Sequence, residues 1–303
     1  MRRRNMTDPD PYNPSAMELP RFAGIDEYVE YSRANERQLS SRWRIEQALP
    51  DALIPAHTFA GTCSFCQRRT TFALPSLERS ESPNLREELV CATCGLNARV
   101  RAALSLLRNE LDAVPTPVIY LTEQDSIAYA QLLRRYESLV GTEYFSDEAA
   151  KERIEAHLEH LLGSRTPACF GDVTALTFPT GKFDAVVSFD VLEHVPRFKN
   201  ALAEFARVLK PGGVLVLTAP FLPGSSATLT RATLEPDGTV RHLLQPEYHG
   251  DPLQPEGVLC FYHFGWDLLD SIRSAGFSSA QFALPWSLSH AEVGGCWTLV
   301  ARR

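Results

Sequence analysis

The stretch that decides the fold is Phe183-Asp184-Ala185-Val186-Val187-Ser188-Phe189-Asp190-Val191-Leu192-Glu193-His194-Val195, which leads on to Leu217-Thr218-Ala219-Pro220. It opens with a short apolar, β-branched run, which is typical of a strand buried on both faces. A helix is predicted from about Arg197 to Leu209, because apolar side chains recur along one side of it. Lys210-Pro211-Gly212-Gly213 predicts the end of that helix, and Val214 to Leu217 predicts a second buried strand. Together they predict one right-handed parallel crossover.

This crossover resembles the class I S-adenosylmethionine (SAM)-dependent methyltransferases, in which the pattern FDxV…LEH…LxxGG spans the fourth and fifth strands. The resemblance extends from about Pro115 to the C-terminus. It implies an α/β fold: a Rossmann-like, seven-stranded, mostly parallel sheet with helices on both faces. It also implies an enzyme that uses SAM as its cofactor.

Two CxxC pairs precede this part of the chain, Cys63-Ser64-Phe65-Cys66 and Cys91-Ala92-Thr93-Cys94. Four thiolates at this spacing can close a tetrahedral site, so we predict structural Zn²⁺ bound by Cys63, Cys66, Cys91 and Cys94. Buried free thiols and a redox CxxC are alternatives, but neither accounts for a doublet. Iron–sulfur binding is a further alternative. Four cysteine ligands leave no open coordination position, so the metal is predicted to support structure rather than catalysis.

Composition divides the chain into three predicted parts. Residues 1–22 are rich in Pro, Asp, Asn and Arg and are predicted to be a flexible tail. Residues 23–112 are predicted to form a small helical and zinc-binding module resembling a zinc ribbon. Residues 113–303 are predicted to be the methyltransferase domain. Within it, residues 221–263 are too long for a connector and are predicted to be a substrate-side insertion.

Hydrophobic periodicity places the individual elements. In the module, helices are predicted from Ile25 to Leu49, ending at Pro50, and over Leu96 to Leu111. In the methyltransferase domain, further strands are predicted at Val118–Leu121, Ser138–Gly141, about Ala168–Phe170, Gln281–Leu284 and Trp297–Ala301, and further helices at Ser126–Tyr136, Asp147–Leu162 and Trp266–Ala275.

The residues that follow each predicted strand are the candidates for cofactor binding, because open α/β sheets bind ligands beyond the carboxyl ends of their strands. The resemblance places Glu143 on the two ribose hydroxyls of SAM, and a carboxylate suits a vicinal diol. Gly171-Asp172-Val173-Thr174-Ala175-Leu176 resembles the "GDxxxL" segment that recognises adenine through the Asp172 carboxylate and the Val173 N–H. Asp190 is expected to line the pocket floor. The alternatives are a solvated surface residue for Glu143 and a helix-cap or turn aspartate for Asp172.

The first loop departs from the family pattern. Such methyltransferases usually carry a glycine-rich loop there, whereas this chain has Tyr120-Leu121-Thr122-Glu123-Gln124-Asp125-Ser126, without a glycine. Thr122, Glu123 and Gln124 are therefore expected to bind the amino and carboxylate groups of SAM through their side chains, helped by the following helix N-terminus. The alternative is a loop that does not bind SAM.

The insertion contains Pro246-Glu247-Tyr248-His249-Gly250-Asp251-Pro252 and Cys260-Phe261-Tyr262-His263-Phe264-Gly265-Trp266. His249 is the candidate general base, because histidine exchanges a proton near neutral pH. Tyr248 and His194 are further catalytic candidates. The alternative is a packing cluster, since methyl transfer requires little beyond correct placement of the two reactants.

The predicted function is methyl transfer from SAM to a small-molecule or sugar-containing acceptor, at oxygen or nitrogen in preference to carbon. An rRNA or tRNA methyltransferase and a catalytically silent SAM-fold binding protein are the alternatives. The net charge of −7 disfavours a nucleic-acid partner. Arg68, Arg69, Arg99 and Arg101 flank the cysteines and are a candidate anion-binding surface, with ordinary solvated arginines as the alternative.

The sequence gives no indication of a membrane partner. No run approaches the roughly 18–20 apolar residues that cross a bilayer. The basic N-terminus, Met1 to Met6, has no apolar stretch behind it and does not resemble a signal peptide. A cytoplasmic location is therefore predicted, and the paired cysteines fit a reducing compartment.

Overall fold

The computed structural model describes residues 18–53, 58–74, 83–251 and 254–303. These residues form two compact units. The cysteine unit contains the described residues up to Pro20, Glu36–Ser105 and Leu284–Cys296. The sheet unit contains Arg21–Asn35, Leu106–Ala283 and Trp297–Arg303. The predicted boundaries after residues 22 and 112 divide the chain into parts that would fold separately, and this division stays a prediction. Most of the predicted tail lies outside the described residues.

The elements are numbered in chain order. The described helices are α1 (Ile25–Ala34), α2 (Glu36–Leu53), α3 (Leu85–Glu88), α4 (Ala98–Glu110), α5 (Ile127–Leu133), α6 (Glu148–Leu162), α7 (Phe198–Val208) and α8 (Asp267–Ser274), with a 3₁₀ turn at Leu192–His194. The described strands are β1 (Arg21–Phe22), β2 (Thr58–Cys63), β3 (Arg68–Ala73), β4 (Val90–Cys91), β5 (Val118–Leu121), β6 (Ser138–Gly141), β7 (Phe183–Phe189), β8 (Leu209–Thr218), β9 (Leu229–Thr230), β10 (Ala232–Leu234), β11 (Val240–His242), β12 (Tyr248–Asp251), β13 (Gln254–Leu259), β14 (Tyr262–His263), β15 (Ser279–Ala283) and β16 (Thr298–Arg302).

Seven strands form one mixed sheet in the order β6-β5-β7-β8-β16-β15-β1. The first four are parallel, and the last three are antiparallel to their neighbours. Strand order therefore reverses around β5, because β6 lies on one side of it and β7 on the other. This is the predicted Rossmann-like sheet, and the reversal locates the edge at which such sheets bind ligands.

One member of the sheet differs from the prediction. The expected strand at Ala168–Phe170 is wrong, since that segment forms only a single bridge, between Phe170 and Glu143. The N–H of Cys169 donates to the Gln124 side chain rather than to a neighbouring strand, which interrupts a regular ladder. The seventh strand is instead β1, which pairs with β15 through Arg21↔Ala283 and Phe22↔Phe282.

The core of the sheet unit is the predicted crossover. Strands β7 and β8 are buried along most of their length. One face of α7 is also buried, and it includes Phe198, Leu202 and Phe205. The helix ends at Val208, as the sequence predicts, but β8 already begins at Leu209. The Lys210–Gly213 segment therefore belongs to the strand, and the register between β7 and β8 shifts there.

The helical character predicted from Ile25 to Leu49 is confirmed, but its division and its end were not predicted correctly. It is divided into α1 and α2 at Asn35, whose side-chain amide donates to the Tyr31 carbonyl at 2.8 Å and caps α1. Pro50 does not end α2, which continues for a further turn to Leu53. Helix α1 belongs to the sheet unit because Tyr28 packs edge-on against Phe22.

The insertion at residues 221–263 contains regular secondary structure. Its described part contains three two-stranded antiparallel pairs, β10–β11, β12–β13 and β14–β9. The other predicted elements begin and end within about three residues of the observed ones. Among the described residues, no helix is both long and apolar enough to cross a membrane.

Candidate cofactor and metal sites

The first loop follows β5 and is fixed to the end of β7. The Thr122 N–H donates to the Val187 carbonyl at 3.1 Å, and its hydroxyl donates to Ser188 Oγ at 2.9 Å. The Glu123 carboxylate accepts a 3.0 Å hydrogen bond from the N–H of Phe189, the last residue of β7. Glu123 therefore lies at the point where strand order reverses, and the loop has a defined conformation without a glycine.

Gln124 joins the same loop to a second segment. Its buried amide donates from Nε2 to the Pro167 carbonyl at 3.1 Å and accepts at Oε1 from the Cys169 N–H at 2.7 Å. Its own N–H donates to the Thr142 carbonyl at 2.8 Å. Both ends of the side chain are thus used within the protein, which gives Gln124 a structural role. Its contact with SAM remains a prediction.

Glu143 lies directly after β6 and faces the first loop. Its carboxylate accepts from the Asp125 N–H at Oε2 (3.1 Å) and from the Tyr144 N–H at Oε1 (3.2 Å). Both donors are main-chain groups, so the carboxylate is held in one orientation. An ionised carboxylate offers about four acceptor positions, and these two backbone donors occupy two of them.

Asp172 and Val173 form a turn on the other side of Glu143. Asp172 Oδ1 accepts from the N–H of Thr174 at 2.8 Å and from its hydroxyl at 2.7 Å, which is the local bonding pattern of a turn aspartate. The side chain of Val173 is buried. A small cleft beside this turn is lined by Thr142, Phe170, Gly171, Asp172, Ala175, Leu176, Thr177 and Phe178.

Asp190 follows β7 with its backbone in the left-handed region, at φ 52°. Its N–H donates to the Thr218 carbonyl at 2.9 Å, and its Oδ1 accepts from the Thr218 hydroxyl at 2.8 Å. A non-glycine residue at positive φ is uncommon and is maintained here by these two bonds to β8. The predicted residues of three strand ends thus share one edge of the sheet.

Two exposed aromatic residues at this edge are missing from the sequence-based site. The side chains of Tyr144 and Phe170 are 66% and 55% exposed, and their ring centroids lie 5.7 Å apart. They directly adjoin Glu143 and the Gly171–Asp172 turn. The available signal was the position of Tyr144, immediately after Glu143, the acidic residue that follows β6.

The candidate catalytic histidines lie together, but Tyr248 is separate from them. The rings of His194 and His249 are 4.9 Å apart, whereas Tyr248 is 53% exposed and, as the preceding residue on β12, points to the opposite face. Hydrogen bonding to Cys260, and then to Glu193 and Glu247, raises the pKa of His249 to about 11.

In the cysteine unit, the four predicted ligands converge. The Sγ atoms of Cys63, Cys66, Cys91 and Cys94 all lie within 4.8 Å of one another, and those of Cys63 and Cys94 are 4.0 Å apart. Around a tetrahedral zinc with bonds of about 2.3 Å, neighbouring sulfurs are separated by about 3.8 Å. The cluster therefore has the size of a zinc site.

The backbone of both CxxC segments follows one pattern. The Gln67 N–H donates to the Cys63 carbonyl at 2.7 Å, and the Gly95 N–H donates to the Cys91 carbonyl at 2.8 Å. Both turns end in the left-handed region, at φ 56° for Gln67 and 73° for Gly95. A backbone N–H also donates to the sulfur of Cys63 and to that of Cys91. These bonds position two of the four sulfurs.

The candidate anion-binding surface beside the cysteines is wrong for two of its four arginines. Arg101 is fully buried and donates to the main-chain carbonyls of Leu96 (2.7 Å) and Ala291 (2.7 Å). Arg99 is paired with the Glu87 carboxylate at 2.8 Å. The sequence cannot show this role in full, because the Ala291 carbonyl lies 190 residues away from Arg101 in the chain.

Comparison with known proteins bears on the sheet unit. Residues 125–217, which run from the first loop to near the end of β8, match the family model described as a methyltransferase domain. A probable SAM-dependent methyltransferase from Mycolicibacterium smegmatis is 32% identical over 95 residues, covering 30% of this chain and 34% of that protein. A demethylmenaquinone methyltransferase from Renibacterium salmoninarum is 53% identical over 47 residues, covering 16% of this chain and 20% of that protein.

A solved structure of a SAM-bound amino pentose methyltransferase from Micromonospora echinaspora is 19% identical, with a TM-score of 0.44 over 68% of this chain and 91% of that chain. This chain spans about a third of the first curated relative and a fifth of the second. The part of the chain that is similar to the methyltransferase-domain family is therefore the segment from Asp125 to Leu217.

Proposed function

We propose that the sheet unit binds SAM at the carboxyl ends of β5, β6 and β7 and transfers its methyl group to a small-molecule or sugar-containing acceptor. One observation carries this proposal. The segment that matches a methyltransferase domain, residues 125–217, contains Glu143 and Asp190, which follow β6 and β7 at the sheet's ligand-binding edge, and Asp172, in the turn next to the bridge between Phe170 and Glu143. When bound, SAM supplies an electrophilic methyl group on a sulfonium ion.

The residues at this edge suit the three parts of SAM. The Glu143 carboxylate is oriented by two backbone N–H groups and is the proposed acceptor for the ribose hydroxyls. Tyr144 and Phe170 offer exposed aromatic rings next to the Asp172 turn, where the adenine is proposed to bind. Glu123, at the reversal of strand order, is the proposed partner of the ammonium group. Gln124 supports the loop.

The acceptor is proposed to be small and to be methylated at oxygen or nitrogen. A heteroatom lone pair can attack a methyl sulfonium directly, whereas carbon needs prior activation. We assign no general base, because methyl transfer depends mainly on the placement of the two reactants. The net charge of −7 supports a small molecule over RNA, which would have to approach against electrostatic repulsion.

We also propose that Cys63, Cys66, Cys91 and Cys94 hold one structural zinc ion. The support is the convergence of the four sulfurs and the matching backbone turns of the two CxxC segments. Elemental analysis of protein purified without added metal should detect this zinc. Cys91→Ser should remove it, whereas Cys169→Ser, at an exposed cysteine outside the cluster, should leave it in place.

Calorimetric titration with SAM and with S-adenosylhomocysteine tests the cofactor proposal without knowledge of the acceptor. Binding of both compounds is expected, and release of S-adenosylhomocysteine in the presence of sugar, amine or phenol acceptors would then identify the substrate class. Absence of binding to either compound would refute the proposal. Binding without turnover on any acceptor, RNA included, would favour a silent binding protein.

A further inference from the structure

The insertion brings a second set of metal-binding side chains together. Glu247, His249, Cys260 and His263 each offer one ligand atom, and these atoms all lie within 4.8 Å of one another. We propose that these four residues form a second zinc site, separate from the four-cysteine cluster. Two imidazoles, a thiolate and a carboxylate are the ligand types that favour Zn²⁺ over Mg²⁺ or Ca²⁺.

The distances within this set are already close to those of a metal site. Oε1 of Glu247 lies 3.2 Å from Nε2 of His249 and 2.9 Å from Nε2 of His263. Around a tetrahedral zinc with bonds of about 2.0–2.1 Å to nitrogen and oxygen, neighbouring ligand atoms are about 3.3 Å apart. The other oxygen of Glu247 is 3.1 Å from Arg231, which directs Oε1 toward the two histidines. Small side-chain movements would complete the site.

An independent observation comes from Glu193, whose carboxylate is fully buried beside His249. Among the described residues, neither of its oxygens makes a hydrogen bond of good geometry, and Nδ1 of His249 lies 3.4 Å away. An isolated buried carboxylate is strongly unfavourable. If Nε2 of His249 binds zinc, Nδ1 carries a proton and faces Glu193, which is the carboxylate–histidine–metal arrangement that orients metal-bound histidines. Glu193 is thus the proposed positioning residue.

The site would fasten the insertion to the turn that follows β7. The Phe261 N–H donates to the Glu193 carbonyl at 2.8 Å, and the Cys260 N–H donates to the Glu247 carbonyl at 2.8 Å. His194, in the same turn, bonds through Nδ1 to the Leu259 carbonyl at 2.8 Å. Because all four ligands come from the protein, the zinc is proposed to hold the insertion in place. His249, predicted from the sequence to be a base, is then a ligand.

Metal content tests this proposal on the full chain. Wild-type protein purified without added metal should contain about two zinc ions per chain, one in each four-ligand set. Cys260→Ser and His263→Ala should each reduce this to about one. Cys169→Ser and His242→Asn are matched controls, since Cys169 and His242 are exposed and outside both sets, and they should retain the wild-type content. Folded Cys260→Ser and His263→Ala variants with undiminished zinc would overturn the proposal.

Cobalt replacement in the wild type avoids dependence on variants that fail to fold. Two Co²⁺ equivalents should give two different absorption spectra, one for four sulfurs and one for mixed nitrogen, oxygen and sulfur ligands. A single four-sulfur spectrum, with no second binding event, would overturn the proposal. None of these measurements involves SAM, so their outcome is independent of the proposed methyltransferase activity.

The Glu193→Gln variant tests the positioning role of Glu193 separately from the metal-binding role of the four ligands. It should leave the zinc stoichiometry unchanged but weaken the second site by about 10- to 100-fold in competition with a chelator. A Glu193 that served only the packing of the protein would leave the metal affinity unaltered. Equal affinities in wild type and Glu193→Gln would therefore remove Glu193 from the proposed site.

Discussion

Replacement of Glu143 by alanine is the sharpest test of the proposed cofactor site. The carboxylate is held by the N–H groups of Asp125 and Tyr144 at 3.1 and 3.2 Å, so it needs little rearrangement to accept the ribose hydroxyls. Each hydrogen bond to a charged group contributes about 1.5–3 kcal/mol. Loss of one of them should weaken SAM and S-adenosylhomocysteine by about 10- to 150-fold, and loss of both by about 150-fold or more.

Calorimetric titration of three variants measures this effect. Glu143→Gln keeps the length of the side chain and one acceptor oxygen, so its loss should be smaller than that of Glu143→Ala. Glu148→Gln is a matched control, because the Glu148 side chain is 72% exposed and pairs with Lys151 on the surface of α6. Thermal unfolding of each variant shows whether the loop remains folded. Wild-type affinity in a folded Glu143→Ala protein would refute the assignment of Glu143 to the ribose.

Three further outcomes follow from individual contacts. Glu123→Ala should weaken SAM and S-adenosylhomocysteine but hardly change the binding of adenosine, which lacks the amino-acid end; a parallel loss for adenosine would contradict the ammonium assignment. Gly171→Ala should destabilise the fold by about 1–3 kcal/mol, because its Cβ would lie 2.2 Å from Oγ1 of Thr142, whereas Gly224→Ala, with open space around it, should not. Burial alone would raise the pKa of Glu110, but pairing with Arg21 and Arg302 lowers it below its usual value. Protonation of this carboxylate below about pH 4.3 therefore removes a stabilising pair, and the free energy of unfolding should fall more steeply with pH in the wild type than in Glu110→Gln.

The sequence predicts the sheet well where a strand is buried on both faces. The bounds of β5 and β6 agree with the prediction, and β7 and β8 contain their predicted cores. It does not predict β1, whose two residues become a strand only by pairing with β15, far away in the chain. Nor does it predict the loss of the strand at Ala168–Phe170, because the competing hydrogen bond comes from a side chain of the first loop.

The candidate sites also divide into features that local sequence indicates and features that depend on pairing between separate strands. Position after a strand was sufficient to place Glu143 and Asp190 at the ligand-binding edge of the sheet, where their contact with SAM stays a prediction, and the spacing of the cysteines was sufficient to predict that the four sulfurs converge. The set around His249 required the pairing of β12 with β13, which brings Glu247 and Cys260 together. Periodicity within the insertion carries no information about that pairing. The sequence therefore suggested a catalytic role for a histidine whose surroundings fit a metal ligand.

The first loop lacks the glycines that would let its backbone approach another group closely. At the same edge of the sheet, this chain has such close approaches at two later glycines. A Cβ on Gly141 would lie 2.5 Å from the ring of Tyr129, and one on Gly171 would lie 2.2 Å from Thr142. The first loop is instead fixed by side-chain bonds from Gln124 and Glu123. Because those bonds hold the loop before any ligand binds, the proposed grip on the amino-acid end of SAM depends on the charge of Glu123 rather than on backbone N–H groups.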